Sequence, residues 1–282
     1  MDSTSVANIL GQLFNFSDYA QLIPLVQNSL IAGALLGLVG GLIGVFVMTR
    51  DMSFAVHGIS ELSFAGASVA LLIGANVVAG SVAGSLVAAA IIGALGSRAK
   101  DRNSIIAVLM PAGLGLGILA LSLYSGRAAN KFGLLTGQII AVDEPQLIWL
   151  AGICLVVLVT LALVWRPLTF ASLDPEVAAA RGVPTRALSV VFMLLLGLSV
   201  AASVQVVGAL LVLSLLVTPA AAALRITRSP ILTPILSVAF ALVAVLGGIL
   251  LALGGGLPIS PYVTTISFVI YLVARLIERG RK

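Results

Sequence analysis

A series of apolar runs, each about as long as a bilayer is thick, is the feature of this sequence that most constrains its fold. A helix that spans the hydrocarbon core needs about 20 mostly apolar residues. Division of the chain at its charges and turn residues yields nine such runs, at residues 22–48, 53–74, 77–96, 104–124, 145–165, 187–203, 206–224, 231–253 and 258–277. Only Val204 and Gln205 separate the sixth run from the seventh, so these two could form one broken helix, and eight or nine spans fit the sequence. The sequence therefore predicts an all-α polytopic membrane protein in which residues 1–282 form a single transmembrane domain.

The composition excludes a soluble domain and several kinds of site. Hydrophobic residues make up 60% of the chain and charged residues only 9%, and the mean hydropathy is +1.21, which is typical of membrane proteins. The net charge of +5 does not indicate a nucleic-acid partner, because the basic residues lie in short clusters between apolar runs. The single cysteine, Cys154, excludes an internal disulfide and a cysteine metal cluster. No phosphate-binding loop of the form GxxxxGKS/T occurs, so we expect a transport subunit and not an enzyme.

The distribution of basic residues predicts the orientation in the membrane, because Lys and Arg concentrate in cytoplasmic connections. With nine spans and a cytoplasmic C-terminus, the cytoplasmic side holds 12 of the 15 basic residues, namely Arg50, Arg98, Lys100, Arg102, Arg166, Arg181, Arg186, Arg225, Arg228, Arg279, Arg281 and Lys282. We therefore expect a multi-pass protein of the plasma or inner membrane. Residues 1–21 would form an external N-terminal segment and residues 278–282 a cytoplasmic tail.

The second span carries a histidine and an acidic residue at membrane depth. His57, the only histidine, and Glu61 are four residues apart, so their side chains share one face of a helix. At ~1.5 Å per residue they lie roughly 10 to 16 Å from Arg50, close to the midplane of the bilayer. Ionisable residues at this depth are functional candidates by default. The pair predicts a transport site for a small cation, and the alternative is a histidine that only packs and hydrogen-bonds inside the protein.

Two connections are longer than a turn requires. Residues 126–144, on the predicted outer side, contain the apolar stretch FGLLTGQIIAV, which is too short to cross and predicts a re-entrant or interfacial segment. Residues 167–186, on the predicted inner side, contain LDPEVAAARGVP, in which Asp174 suits an N-cap, Pro175 the first helical position and Gly182 a helix stop. This short helix is either a linker or, because a linker could be far shorter, a docking site for a soluble partner. The residues expected at that contact are Asp174, Pro175, Glu176, Ala178, Ala179, Arg181 and Gly182.

Other polar residues inside the spans are expected to hydrogen-bond between helices. They include Asn28, Asn76 and Gln205. Pro219, together with Thr218, predicts a kink in the seventh span, because proline removes a backbone donor from the helix.

Three stretches, taken together, resemble the permease subunits of zinc and manganese ABC importers. RDMSF at residues 50–54, followed by Ser60 and Gly66, resembles the arginine-methionine-serine opening of the family's second helix. LDPEVAAARGV at residues 173–183 resembles the cytoplasmic segment that engages the ATPase. VVGALLVLSLLVTPAAAA at residues 206–223 resembles the family's glycine-to-proline-alanine helix pair. The resemblance covers nearly the whole chain.

The resemblance implies a type II ABC importer-like permease with a short cytoplasmic coupling helix. It further implies a permease homodimer with the translocation pathway at its interface, a cytoplasmic ABC ATPase dimer, and an external metal-binding protein that delivers zinc or manganese. The family usually places an aspartate, and four residues later a histidine, where this sequence has His57 and Glu61. The acid and the imidazole have exchanged places, but both ligand types remain, and both bind transition-metal ions.

Two other functions are consistent with parts of the sequence, and a third is not. An ABC permease for a larger chelate, such as a siderophore or cobalamin, would share the helical scaffold and the docking helix but would not need His57 and Glu61. A gradient-driven secondary carrier could relay protons through Glu61, but the helix after Asp174 would then be unexplained. An intramembrane metalloprotease would need an HExxH motif, which this sequence lacks.

Overall fold

The computed structural model describes residues 23–95, 99–126, 134, 142–253 and 259–280. Within these residues the chain is helical, and they contain no strand. The helices are α1 (Gln27–Thr49), α2 (Ser53–Leu72), α3 (Val77–Leu95), α4 (Ala99–Leu123), α5 (Glu144–Leu173), α6 (Pro175–Ala180), α7 (Thr185–Val207), α8 (Val212–Leu216), α9 (Thr218–Ile226), α10 (Leu232–Leu253) and α11 (Ile259–Gly280). Short 3-10 turns at Ile23–Val26 and Ala209–Leu211 precede α1 and α8.

The predicted all-α polytopic membrane fold is confirmed. Eight of the described helices are long and apolar enough to cross a bilayer, namely α1 to α5, α7, α10 and α11. Their bounds follow the predicted spans within a few residues, except in α5, which continues past Arg166 and Pro167 to Leu173. The predicted end at residue 165 was therefore wrong. The helix continues through Pro167 although proline has no N–H to donate to the Leu163 carbonyl one turn earlier.

The seventh predicted span is a broken pass that runs the full length of the bundle. At its start, the Ser260 hydroxyl of α11 donates a hydrogen bond to the Val207 carbonyl at 3.4 Å. At its end, Arg225 pairs with Glu278 of the same helix at 3.2 Å. Because Ser260 and Glu278 are separated by about 27 Å of helix, residues 208–226 cross from one end of the bundle to the other. The described chain therefore makes eight continuous passes and one broken pass.

The broken pass is interrupted twice. Gly208 has a φ of 87°, a left-handed conformation that favours glycine and ends α7 there. A second interruption lies at Val217, between α8 and α9. Pro219 is close to this point but occupies the first turn of α9, where its missing N–H has no intrahelical partner to lose. The predicted kink is thus a helix break at Val217, with Pro219 starting the next helix.

Helices α1, α2 and α7 are the most deeply buried of the long helices and form the centre of the bundle. Close packing of α1 depends on glycine. A Cβ at Gly41 would lie 2.6 Å from the Val238 Cα of α10, and a Cβ at Gly44 would overlap the Leu216 carbonyl of the broken pass. Small residues allow helix backbones to approach in this way inside membranes.

One end of the bundle carries the basic side chains that the structure describes. Arg102 donates to the Asp51 carbonyl at 3.3 Å, which joins the start of α4 to the α1–α2 turn. The Arg225–Glu278 pair and the ends of α5 and α11 lie at the same end, which we call the basic end. The N-terminal segment of residues 1–21 and the last two residues lie outside the described residues, as does most of the apolar stretch at 132–142.

Candidate functional site

The helix that carries the predicted site is held by backbone contacts with the two helices that follow it in the chain, α3 and α4. A Cβ at Gly80 or Gly84 of α3 would overlap a backbone carbonyl of α2, at Gly66 or Leu62 respectively. A Cβ at Gly113 of α4 would lie 2.9 Å from the Glu61 carbonyl carbon of α2. The central helix α7 and the broken pass also contact α2. Because these contacts are between backbones, α2 has little freedom to shift without its neighbours.

His57 and Glu61 lie together on α2, as their spacing predicted. The His57 Nε2 and Glu61 Oε1 atoms are 3.7 Å apart, which is longer than a hydrogen bond. The Glu61 side chain is 4% exposed and that of His57 26%. Glu61 is about 12 Å along α2 from Ser53, so it lies near the middle of a helix about 30 Å long.

Two polar atoms of the pair have no partner among the described residues. His57 Nδ1 and Glu61 Oε2 are both buried and make no hydrogen bond there. An unpaired buried polar atom costs free energy, so the arrangement favours a ligand that both groups can contact. An imidazole nitrogen and a carboxylate oxygen are both ligands for transition-metal ions, so a cation is a ligand of this kind.

The hydroxyl groups near the pair are already bonded within the protein. Ser60 donates to the His57 carbonyl at 2.8 Å, and Ser63 and Ser81 lie 2.8 Å apart with a shared hydrogen bond. The described residues contain no cluster of three or more His, Cys, Asp or Glu side chains that could hold a metal ion. A complete coordination shell would therefore need ligands besides this pair.

Arg50 connects the start of α2 to residues that precede and follow α6 in the chain. The sequence analysis did not assign this role. The Arg50 Nε donates to the Ser172 hydroxyl at 2.8 Å and its Nη1 to the Ser189 hydroxyl at 3.3 Å. The guanidinium also lies over the Phe192 ring, 5.2 Å from its centroid. Burial, and then the neighbouring charge of Arg102, lower the pKa of Arg50. The only sequence signal was the position of Arg50 at the opening of α2.

The short helix after α5 has the caps that its sequence predicted. The Asp174 carboxylate accepts a hydrogen bond from the Val177 N–H at 3.0 Å. Gly182 has a φ of 80°, its N–H donates to the Ala179 carbonyl at 3.0 Å, and the next N–H donates to the Ala178 carbonyl at 3.0 Å. This pair of bonds is a Schellman motif, which ends the helix at a glycine.

Of the residues predicted to dock a partner at this helix, one is buried and the others are exposed. Ala178 is completely buried within the chain, so it cannot touch a partner directly. Its methyl group packs against the core because α6 lies on α5 and α7. The other predicted contact residues are exposed, namely Asp174, Pro175, Glu176, Ala179, Arg181 and Gly182.

Comparison with known families identifies the chain. The model of a family described as the ABC 3 transport family matches residues 22–278. The chain belongs to the ABC 3 transport family. The predicted membership of the zinc and manganese permease group is confirmed, and members of this family are transport subunits and not enzymes.

Relatives in the family carry manganese and zinc in their names. The chain is 33% identical over 243 residues to the manganese transport system membrane protein MntC of Halalkalibacterium halodurans, covering 85% of this chain and 82% of that protein. It is 26% identical over 254 residues to the high-affinity zinc uptake system membrane protein ZnuB of Haemophilus influenzae, covering 90% of this chain and 97% of that protein.

Two solved structures share the fold. PsaBC from Streptococcus pneumoniae, in complex with Fab, matches with a TM-score of 0.82 at 24% identity, over 93% of this chain and 99% of that chain. An inward-facing conformation of a putative metal-chelate type ABC transporter matches with a TM-score of 0.71 at 18% identity, over 95% of this chain and 94% of that chain. At these identities the matches establish the fold of this family member.

Proposed function

We propose that this chain is the permease subunit of an ATP-driven importer of divalent transition-metal ions, zinc or manganese. The observation that carries the proposal is the pair of buried, unpartnered ligand atoms on His57 and Glu61, halfway along α2 of an ABC 3 family protein. Relatives named for manganese and zinc transport support the choice of cargo.

The His57–Glu61 pair is proposed as the transport site. Two protein ligands bind a divalent ion weakly, and weak binding suits a site from which the ion must leave as readily as it enters. Waters, or the same pair from a second copy of the chain, would complete the shell. Ligands from a second copy require a permease homodimer in which the translocation pathway lies at the interface.

The broken pass beside α2 supports a transport role for this region. Interrupted helices in transporters commonly border the cargo site, because unwound backbone carbonyls can bind cations there. In this chain the 3-10 turn Ala209–Leu211 and α8 both contact α2. A backbone break next to the helix with the ligand pair is thus consistent with a pathway along α2.

The partners of the permease follow from the same proposal. The exposed face of α6 would dock a cytoplasmic ABC ATPase dimer, which supplies the energy. An external metal-binding protein would deliver the ion and supply the affinity. The basic end would face the cytoplasm of the plasma or inner membrane, because basic residues concentrate on that side, with the N-terminus outside and the C-terminus inside.

Uptake of labelled zinc and manganese tests the proposal in proteoliposomes that hold the chain with its ATPase and its delivery protein. We expect ATP-dependent uptake of at least one ion. His57→Ala and Glu61→Ala should each reduce it by at least tenfold, because either change removes one of only two ligands. Cys154→Ala is the control, since Cys154 is a buried residue of α5 away from the site, and it should leave uptake unchanged.

A permease for a metal chelate is the second candidate, because the chain shares its fold with a putative metal-chelate type transporter. A chelate would be recognised by its organic shell and would not need the pair on α2. Parental uptake in both alanine variants would favour this candidate. Uptake that persists without ATP would instead favour a gradient-driven carrier.

A further inference from the structure

A groove between α5 and the C-terminal helices has no part in the proposed transport mechanism. It consists of two adjoining cavities of ≈ 550 Å³ and ≈ 600 Å³. Trp165 of α5 and Pro234 of α10 line both cavities, so the cavities adjoin, and we treat them together as one groove. One part extends towards the middle of the bundle and the other opens at the basic end.

The part towards the middle of the bundle is apolar and faces outwards. It is lined on α5 by Leu158, Leu161, Ala162 and Leu163. The Leu163 side chain is 78% exposed, so within the described residues no helix covers it. A soluble partner would not reach this surface at membrane depth, whereas an acyl chain of the bilayer would contact it directly.

The part at the basic end carries a net positive charge. Arg225 is held by the Glu278 carboxylate at 3.2 Å, and Tyr271 lines the same part of the groove. Arg228 is exposed and makes no hydrogen bond or ion pair with another described residue. Arg166 lies in the wall of the adjoining cavity. Arg225 and Arg228 against Glu278 leave this part of the groove with a net positive charge, to which Arg166 of the adjoining part adds, so the groove is complementary to an anion.

The length and the aromatic side chains of the groove match one leaflet of a bilayer. From Leu158 to Leu173 the α5 wall rises about 22 Å, which exceeds half of a hydrocarbon core about 30 Å thick. Trp165 lines both parts of the groove, and Tyr271 lines the part at the basic end. Aromatic residues of this type are enriched at membrane–water interfaces, so the basic part would lie at headgroup depth.

We propose that this groove binds one anionic phospholipid of the leaflet on the basic side. Its phosphate would lie between Arg225 and Arg228, and an acyl chain would follow α5 from Trp165 towards Leu158. Basic pockets between transmembrane helices bind anionic headgroups in this manner. The inference does not depend on which cargo the permease carries.

Native mass spectrometry tests the site on the full chain, released from micelles with equal amounts of phosphatidylglycerol and phosphatidylcholine. The parent chain should retain phosphatidylglycerol preferentially. Arg228→Gln should weaken this retention about fivefold, the equivalent of about 1 kcal/mol for one arginine near a charged headgroup. Arg186→Gln is the matched control, because Arg186 is an exposed arginine in the first turn of α7 that does not line the groove.

A second variant tests the apolar part without a change of charge. Ala162→Trp should fill the groove beside α5 and reduce retention of phosphatidylglycerol, while inorganic phosphate should not compete with the lipid. Equal retention of the two lipids by the parent chain would overturn the proposal, as would unchanged retention in both groove variants. Competition by inorganic phosphate would indicate a site for a free anion and would contradict the proposal that the groove binds a lipid. Disulfide formation between Leu163→Cys copies in the membrane would identify the occupant as a second chain and also overturn it.

Discussion

At the scale of single residues, Arg50 joins the two parts of the molecule that a coupled transporter must connect. It lies three residues before the start of α2, whose ligand pair is the proposed cargo site. Its guanidinium bonds Ser172 and Ser189, which lie on either side of the α6 segment. A movement of α6 would therefore be transmitted to the start of α2 through one side chain.

Replacement of Arg50 by lysine should weaken this connection although the charge is kept. Lysine cannot reproduce the planar fork that bonds two hydroxyls and stacks on Phe192. We expect the variant to lose about 1.5 to 3 kcal/mol of stability, the range for hydrogen bonds to charged groups, and to show less metal-stimulated ATPase activity relative to its basal activity. Thermal unfolding of Arg50→Lys, Ser172→Ala and the double variant measures the coupling. Additive effects of the two changes would show that the bond contributes nothing.

At the scale of elements, α6 contains a buried alanine directly followed by an exposed one. Ala178 is buried against the core, whereas its neighbour Ala179 is exposed. The two positions therefore separate the internal packing of the helix from its proposed contact with the ATPase.

Ala179→Trp should uncouple ATP hydrolysis from transport and leave the membrane domain folded, because the added ring points into the proposed partner contact. Ala178→Leu should instead lower the unfolding temperature, since overpacking of a filled core costs about 1 to 3 kcal/mol. ATPase and uptake rates of the assembled transporter, together with thermal unfolding of the chain, distinguish the two effects. Glu176→Ala is the mild control, because an exposed ion pair contributes about 0 to 1 kcal/mol. Normal coupling in Ala179→Trp would refute the docking assignment.

At the scale of the whole molecule, the described basic side chains gather at one end of the bundle, and Asp143 and Glu144 lie at the start of α5, at the other end. The α5 helix runs from Glu144 to Leu173, next to the basic end. This asymmetry of charge predicts which end faces the cytoplasm.

Single cysteines at the two ends should react differently with an impermeant thiol reagent in intact cells. On a Cys154→Ala background, Glu144→Cys should be labelled from outside and Arg279→Cys only after the membrane is opened. Both positions are exposed, so access to each thiol depends on the side of the membrane. The reverse labelling pattern would invert the proposed orientation.

Properties that depend on neighbours in the chain could be predicted from the sequence alone. Hydropathy along the chain indicated the spans, the spacing of four residues placed His57 and Glu61 on one face, and the caps of α6 follow from Asp174 and Gly182. Only the tertiary structure decided the full crossing of the broken pass, the burial of Ala178 and the bonds of Arg50. Arg50 and Ser172, for example, are 122 residues apart in sequence. Such contacts depend on which helices pack together, and packing is determined by the fit of many side chains at once rather than by any local pattern.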